Sequence, residues 1–133
     1  FCEIFRKLIV IFWGLRVIIT SSSKVGNTLR KEEDMDRADI AVIGTGPAGI
    51  SAAINARIRR KSFLLFGSSK LSAKIESSEQ IVNYPAIDAI SGPQLNERFR
   101  EQLVKLEIPI IDERITGIYK MENYYLIMAD QKQ

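Results

Sequence analysis

The stretch Asp39-Ile-Ala-Val-Ile-Gly44-Thr-Gly46-Pro-Ala-Gly49 contains the pattern that decides the fold of this chain. An apolar run, Ile40–Ile43, leads into three glycines with the spacing G-x-G-x-x-G, and a segment rich in alanine and isoleucine follows them. An apolar run that ends in closely spaced glycines and continues into small and apolar residues predicts a strand, a tight turn and a helix.

Each glycine is expected to have its own role in this turn. Gly44 lets the chain leave the strand sharply, Gly46 lets the backbone approach a pyrophosphate, and Gly49 lets the helix pack closely against the strand. The start of the helix then offers unpaired N–H groups and a partial positive charge to the phosphates. The glycines alone are also compatible with a turn that binds no ligand, but the flanking strand and helix favour a nucleotide-binding turn.

The wider sequence resembles the FAD-binding start of flavoproteins that have two dinucleotide-binding domains. Within the glycine motif, Pro47 and Ala48 favour FAD over NAD in this resemblance. Downstream, Asn83-Tyr84-Pro85 and then Ile90-Ser91-Gly92-Pro93-Gln94-Leu95 are similar to the thioredoxin reductase branch. Members of that branch carry an N-Y-P or N-W-P step followed by an [IL]-[ST]-G-P-x-L helix start. The resemblance covers about residues 35–133.

The resemblance implies an α/β fold, namely a Rossmann-like FAD-binding domain that is incomplete at its C-terminus. Such a domain has a parallel sheet with flanking helices and a small β-hairpin or meander. The implied protein is a thioredoxin reductase-like FAD-dependent oxidoreductase of the pyridine nucleotide-disulfide oxidoreductase superfamily, which passes electrons through FAD to a disulfide. Residues 35–133 correspond to the N-terminal part of its FAD-binding domain, and we expect this fragment alone to be inactive.

The resemblance also implies the partners of the full-length parent. These are FAD and a thioredoxin-like disulfide protein, and the parent is expected to be a cytoplasmic homodimer. NADPH or another electron donor would bind outside this fragment. The alternative is a non-catalytic nucleotide-binding or interaction module that retains only the glycine-rich turn.

The resemblance assigns cofactor-binding roles but no catalytic acid, base or nucleophile. Asn83 matches the family's Asn beside the flavin, although the segment is equally compatible with a plain turn in which Pro85 favours extended backbone at Tyr84. Ile115 matches the backbone position that contacts the adenine before a hairpin. The predicted cofactor-binding residues are Gly44, Gly46, Pro47, Ala48, Gly49, Phe66, Gly67, Asn83 and Ile115.

The sequence departs from the family pattern in two places. A carboxylate is expected about 20 residues past the glycines, where it would bind the ribose hydroxyls. Phe66-Gly67-Ser68-Ser69 contains none, although the Ser68 or Ser69 hydroxyl could replace it at lower strength. Lys70-Leu-Ser-Ala-Lys74 stands where the family has a Gly-Gly-Gln stretch around the flavin. This suggests a divergent branch, and it leaves open either NADPH or another electron donor.

Two further helix signals and several short strands follow the glycine motif. Ser91 and Gln94 fit a capping box, and an apolar stripe at helical spacing follows them. The stripe comprises Leu95, Phe99, Leu103 and Leu106, and the predicted solvated face comprises Asn96, Glu97, Arg98, Arg100, Glu101 and Lys105. Strands are predicted at residues 62–66, 108–111, 114–119 and 123–129, with a hairpin turn between the last two.

Composition excludes several classes of site. The chain has 133 residues, one cysteine (Cys2) and no histidine, so neither an internal disulfide framework nor a Cys/His zinc site is possible, and no metal site is expected. The family's C-x-x-C pair is also absent from this sequence. A net charge of +3 with 26% charged residues is typical of a globular protein and gives no sign of nucleic-acid binding.

Residues 1–34 form a separate unit in this interpretation, either a translated leader or a flexible N-terminal extension. Lys31-Glu-Glu-Asp-Met35 back-translates to codons that can contain AGGAGG shortly before an ATG, as in a bacterial ribosome-binding site. We therefore predict that Met35 is the true start. The apolar run after Leu8 is interrupted by Arg16 and falls short of the ~20 residues that a membrane-spanning helix needs. A short interfacial anchor remains the alternative for this segment.

Overall fold

The computed structural model describes residues 16–21 and 37–131 of the chain. The helices and strands in chain order are β1 (Arg16–Ser21), β2 (Arg37–Ala38), β3 (Ile40–Ile43), α1 (Pro47–Ile58), β4 (Phe63–Phe66), α2 (Ala73–Glu76), α3 (Gly92–Lys105), β5 (Glu113–Lys120) and β6 (Tyr124–Gln131). The predicted start at Met35 and the single cysteine, Cys2, lie outside this part of the chain.

The parallel pair β3–β4 is the centre of the α/β unit. Ile40 is aligned with Phe63 and Ile43 with Phe66. On the other side of β4, Ile111 pairs with Phe66 in an isolated parallel bridge. Helix α1 is the crossover between the two strands, as parallel pairing requires. The strands are apolar throughout because both faces of this pair are covered. Val42 is fully buried on the side of the helices, and Ala41 is fully buried on the opposite side, where it packs with Ile127.

A second sheet has the strand order β2–β1–β6–β5. Strands β5 and β6 form an antiparallel hairpin with an irregularity between Ile115 and Gly117. Strand β1 runs parallel to β6 and antiparallel to β2. The single residue Asp39 separates β2 from β3, so the two sheets are adjacent along the chain at this point.

Helix α3 packs against α2 and α1, and its predicted apolar stripe lies in the main core. Leu95, Phe99 and Leu103 are buried in the main core together with Val42 and Ile50. A smaller cluster joins the two sheets and consists of Ala41, Phe66 and Ile127, with the partly buried Ile43, Leu64, Ile111 and Ile115 packed on it. The Ser91 capping box is formed as predicted, since the Ser91 hydroxyl accepts from the Gln94 N–H and the Gln94 side chain accepts from the Ser91 N–H.

The predicted α/β fold with its hairpin is confirmed, two local expectations need correction, and two elements were not predicted. Asn96 is buried rather than solvated, because α2 packs over it. In residues 108–111, only Ile111 forms a bridge, and residues 108–110 are not a strand. The short helix α2 and the strand β1 were not predicted, because each depends on contacts with segments distant in sequence.

Candidate nucleotide-binding site

The glycine-rich turn has the geometry that its spacing predicts. Gly44 has φ of +113°, a conformation that residues with a side chain rarely adopt, and its N–H donates to the Phe66 carbonyl at 2.7 Å. A Cβ at Gly49 would overlap the Gly44 carbonyl oxygen, so the helix passes directly against the turn. A Cβ at Gly46 would meet no atom within 4 Å. There is therefore open space next to the Gly46 backbone.

Helix α1 begins at this open space. Gly46 is its N-cap residue and has no side chain with which to cap the helix, and Pro47 occupies the first helical turn. No acidic residue lies in the first turn, so the positive end of the helix dipole is not neutralised from within the helix. The turn and the helix start thus combine open space beside Gly46 with the partial positive charge of a helix N-terminus, and both features suit a pyrophosphate. The residues present are therefore compatible with the diphosphate of FAD.

The loop after β4 lies directly on the glycine turn. The buried Thr45 hydroxyl donates to the Ser68 carbonyl at 2.9 Å. Gly67 has φ of +156°, and a Cβ there would lie 2.7 Å from Thr45 Cγ2. Sequence reasoning did not single out Thr45, although its place between two motif glycines puts it at the contact.

A carboxylate is present beside this loop, but it comes from another segment. Asp112 Oδ2 accepts two hydrogen bonds from Ser69, from the backbone N–H at 2.9 Å and from the hydroxyl at 2.5 Å. Arg100 of α3 donates to the Ser69 carbonyl at 3.4 Å and is paired with Glu97 at 3.3 Å. Sequence reasoning missed Asp112 because it searched for an acidic residue only at the end of the second strand.

The remaining predicted site residues divide between two places. Phe66 and Ile115 are brought together in the small cluster beneath the loop, next to Ala41 and Ile127. Asn83 is exposed and lies on the segment between Ile81 and Ile90, which pair as an antiparallel bridge.

The segment that carries Asn83 is anchored to α3. The Tyr84 ring packs edge-on against Phe99 of that helix, with the ring centroids 5.8 Å apart. The structure thus joins Phe66, Gly67 and Ile115 to the surroundings of the glycine turn. It places Asn83 at the surface, on the segment that is anchored to α3. The flavin role of Asn83 stays a prediction.

Two features are absent from residues 16–21 and 37–131, the part of the chain that the structure describes. In that part of the chain, no group of three His, Cys, Asp or Glu side chains is placed to hold a metal ion. None of its helices is both long and apolar enough to cross a membrane.

Comparison with known proteins shows similarity to thioredoxin reductases. The thioredoxin reductase of Ureaplasma parvum is 33% identical over 86 residues, which are 65% of this chain and 28% of that protein. The thioredoxin reductase of Peptoclostridium litorale is 42% identical over 82 residues, 60% of this chain and 26% of that protein. No protein-family model matches the sequence.

Solved structures agree with these relatives. A ferredoxin-flavin thioredoxin reductase from Clostridium acetobutylicum superposes with a TM-score of 0.65 at 45% identity, covering 67% of this chain and 31% of that one. The chain therefore spans less than a third of the length of the proteins it matches. The resemblance to thioredoxin reductases that the motifs predicted is confirmed, and the chain has the Rossmann-like fold of the FAD-binding domain of those enzymes.

Proposed function

We propose that this chain is the N-terminal FAD-binding part of a thioredoxin reductase-like flavoprotein that passes electrons through FAD to a disulfide substrate. The substrate class would be a thioredoxin-like protein, and the full-length parent would be a cytoplasmic homodimer. When bound, FAD would supply the redox chemistry by taking up two electrons from a donor and delivering them to a disulfide. The residues described above would bind and orient it.

The geometry of the glycine turn carries this proposal. Gly46 leaves open space where a pyrophosphate would lie, and the N–H groups at the start of α1 point their partial positive charge towards it. Gly44 and Gly49 serve the turn and the helix packing, respectively, and leave that space accessible. If the turn served only the fold, a residue with a side chain could take the place of Gly46.

The electron donor is a separate part of the proposal. A solved structure that covers 67% of this chain at 45% identity is a ferredoxin-flavin thioredoxin reductase. Lys70-Leu-Ser-Ala-Lys74 also replaces the stretch that the family usually carries near the flavin. Both observations support a donor other than NADPH, and a ferredoxin-type iron–sulfur protein is the donor class we propose. That donor would contact parts of the parent protein beyond these residues.

The proposal predicts that the purified full chain takes up FAD. The measurement is the visible absorption spectrum before and after addition of FAD and removal of the excess, with the released flavin identified by chromatography. We expect flavin absorption bands that stay with the protein, and FAD rather than FMN in the released fraction. A folded, colourless protein that retains no added FAD would contradict the proposal. It would favour the alternative of a binding or interaction module without redox activity.

A further inference from the structure

The loop after β4 lacks a carboxylate where a dinucleotide site normally has one. That carboxylate is expected about 20 residues past the glycines, and the residue there is Ser69. In the structure, both donor groups of Ser69, its backbone N–H and its hydroxyl, are directed at Asp112 Oδ2. The Asp112 carboxylate thus lies beside Ser69, the position at which the usual sequence pattern has its acidic residue.

The backbone places Asp112 at the same sheet edge as the glycine turn. The preceding residue, Ile111, is held against β4 by two backbone hydrogen bonds: its N–H donates to Leu65 at 2.8 Å and its carbonyl accepts from Gly67 at 3.1 Å. Since β3 and β4 are parallel, their carboxyl ends meet at this edge, where Asp112 follows the bridge. The site is thus formed at the carboxyl ends of the strands, where open α/β sheets bind their ligands.

A continuous series of hydrogen bonds connects Asp112 to the phosphate-binding turn. Thr45, between two of the motif glycines, donates to the Ser68 carbonyl at 2.9 Å. The next residue, Ser69, is bound to Asp112. Arg100 holds the same loop from α3 through the Ser69 carbonyl. The loop is therefore fixed from three sides, and the carboxylate has a defined position relative to the turn.

We propose that Asp112 supplies the carboxylate that binds the hydroxyls of the adenosine ribose, with Ser69 holding it in place. This inference rests on the proposed function, because it requires a dinucleotide on the glycine turn. An ionised carboxylate has about four acceptor directions on its two oxygens, so it can accept from Ser69 and from ribose hydroxyls together. A negative charge here also disfavours a 2′-phosphate, so the site selects FAD-type adenosine over the phosphorylated adenosine of NADP.

The test measures the affinity of the full chain, freed of any copurified flavin, for FAD and for FAD whose adenosine lacks the 2′-hydroxyl. Binding is followed by the change in flavin fluorescence on titration. We expect the unmodified chain to prefer FAD by about tenfold or more, the value of a hydrogen bond to a charged group. Asp112→Asn should bring this preference close to one, because the amide oxygen still accepts from Ser69 but carries no charge.

Glu113→Gln is the matched control. It removes a carboxylate from the adjacent residue, the first of β5, and it should preserve the preference for FAD. Circular dichroism of both variants checks that the fold is retained. Equal preference for FAD in the Asp112→Asn variant and the unmodified chain would overturn the inference, as would an equal loss of affinity for both ligands. If the unmodified chain bound neither ligand, the proposed function itself would be overturned.

Discussion

Gly46 and Gly49 lie three residues apart in the same turn, yet an added methyl group would meet opposite surroundings at each. At Gly46 it would enter open space, and the backbone there, at φ −83° and ψ 177°, is one that alanine adopts readily. At Gly49 it would overlap the Gly44 carbonyl oxygen. One glycine is therefore required by the proposed ligand and the other by the fold.

These surroundings predict different defects for the two alanine variants. Gly46→Ala should change the free energy of unfolding by no more than about 1 kcal/mol, the usual scale of an N-cap substitution. It should weaken FAD binding by about tenfold or more, because the methyl group occupies the space of the pyrophosphate. Gly49→Ala should lower the free energy of unfolding by about 3 kcal/mol or more, because backbone must move to admit it.

Chemical denaturation and FAD titration of both variants check this prediction. Normal FAD affinity in a folded Gly46→Ala variant would mean that no phosphate lies against this residue. A Gly49→Ala variant as stable as the unmodified chain would contradict the close contact between the turn and α1.

At the scale of elements, the short helix α2 is held on α3 by one polar side chain. Asn96 Nδ2 donates to the Glu76 carboxylate at 2.6 Å and to the Ser72 carbonyl at 3.2 Å. Asn96 is 1% exposed, and its Oδ1 is buried without a hydrogen-bond partner among the described residues. Close packing at Gly92 accompanies this contact, since a Cβ there would overlap the Ile75 carbonyl oxygen. The α2–α3 junction therefore tolerates little change in shape or polarity.

The isosteric change Asn96→Asp tests this junction. The substitution replaces the Nδ2 donor with a carboxylate oxygen, which would face the Ser72 carbonyl and the Glu76 carboxylate. It also buries a charge without a partner, which costs about 3–5 kcal/mol in comparable sites. We expect a loss of unfolding free energy of this order at neutral pH, measured by urea denaturation. Asn55→Asp is the matched control, because it makes the same substitution at an exposed position of α1 and should cost about 1 kcal/mol or less. Equal costs for the two variants would contradict the role of Asn96.

At the scale of the whole molecule, β1 connects β2, which precedes the glycine motif, to β6, the last strand of the described residues. It pairs along its full length with β6, from Arg16 opposite Tyr124 to Ser21 opposite Ala129, and it pairs on its other side with β2. Without β1, one edge of β6 would present unpaired N–H and C=O groups, and exposed strand edges favour association between chains.

The prediction that Met35 is the true start stays open. It is tested by mass spectrometry of the endogenous protein, in which tryptic peptides from residues 1–34 would contradict it.

Truncation of the purified chain measures the contribution of β1. A chain that begins at Met35 should melt at a lower temperature than the full chain and should associate at increasing concentration in sedimentation experiments. A chain that begins at Arg16 is the matched control, because it keeps β1, and it should behave like the full chain. Identical melting and sedimentation of all three chains would show that β1 contributes nothing to stability.

The elements of this protein that depend on neighbouring residues could be predicted from the amino-acid sequence. The apolar run before the glycines, their spacing, and the Ser91–Gln94 capping box each act over a few residues, and the structure forms β3, α1 and α3 where these patterns predict them. The apolar stripe of α3 was also readable, because helical periodicity alone places Leu95, Phe99 and Leu103 on one face.

Only the tertiary structure decided which distant segments meet. It placed Asp112 beside Ser69, 43 residues away, and it buried Asn96 under α2 instead of leaving it in solvent. It also inserted β1 between β2 and β6. Local patterns cannot specify such contacts, because a hydrogen bond between remote segments depends on how the intervening elements pack and leaves no periodic signal in the sequence.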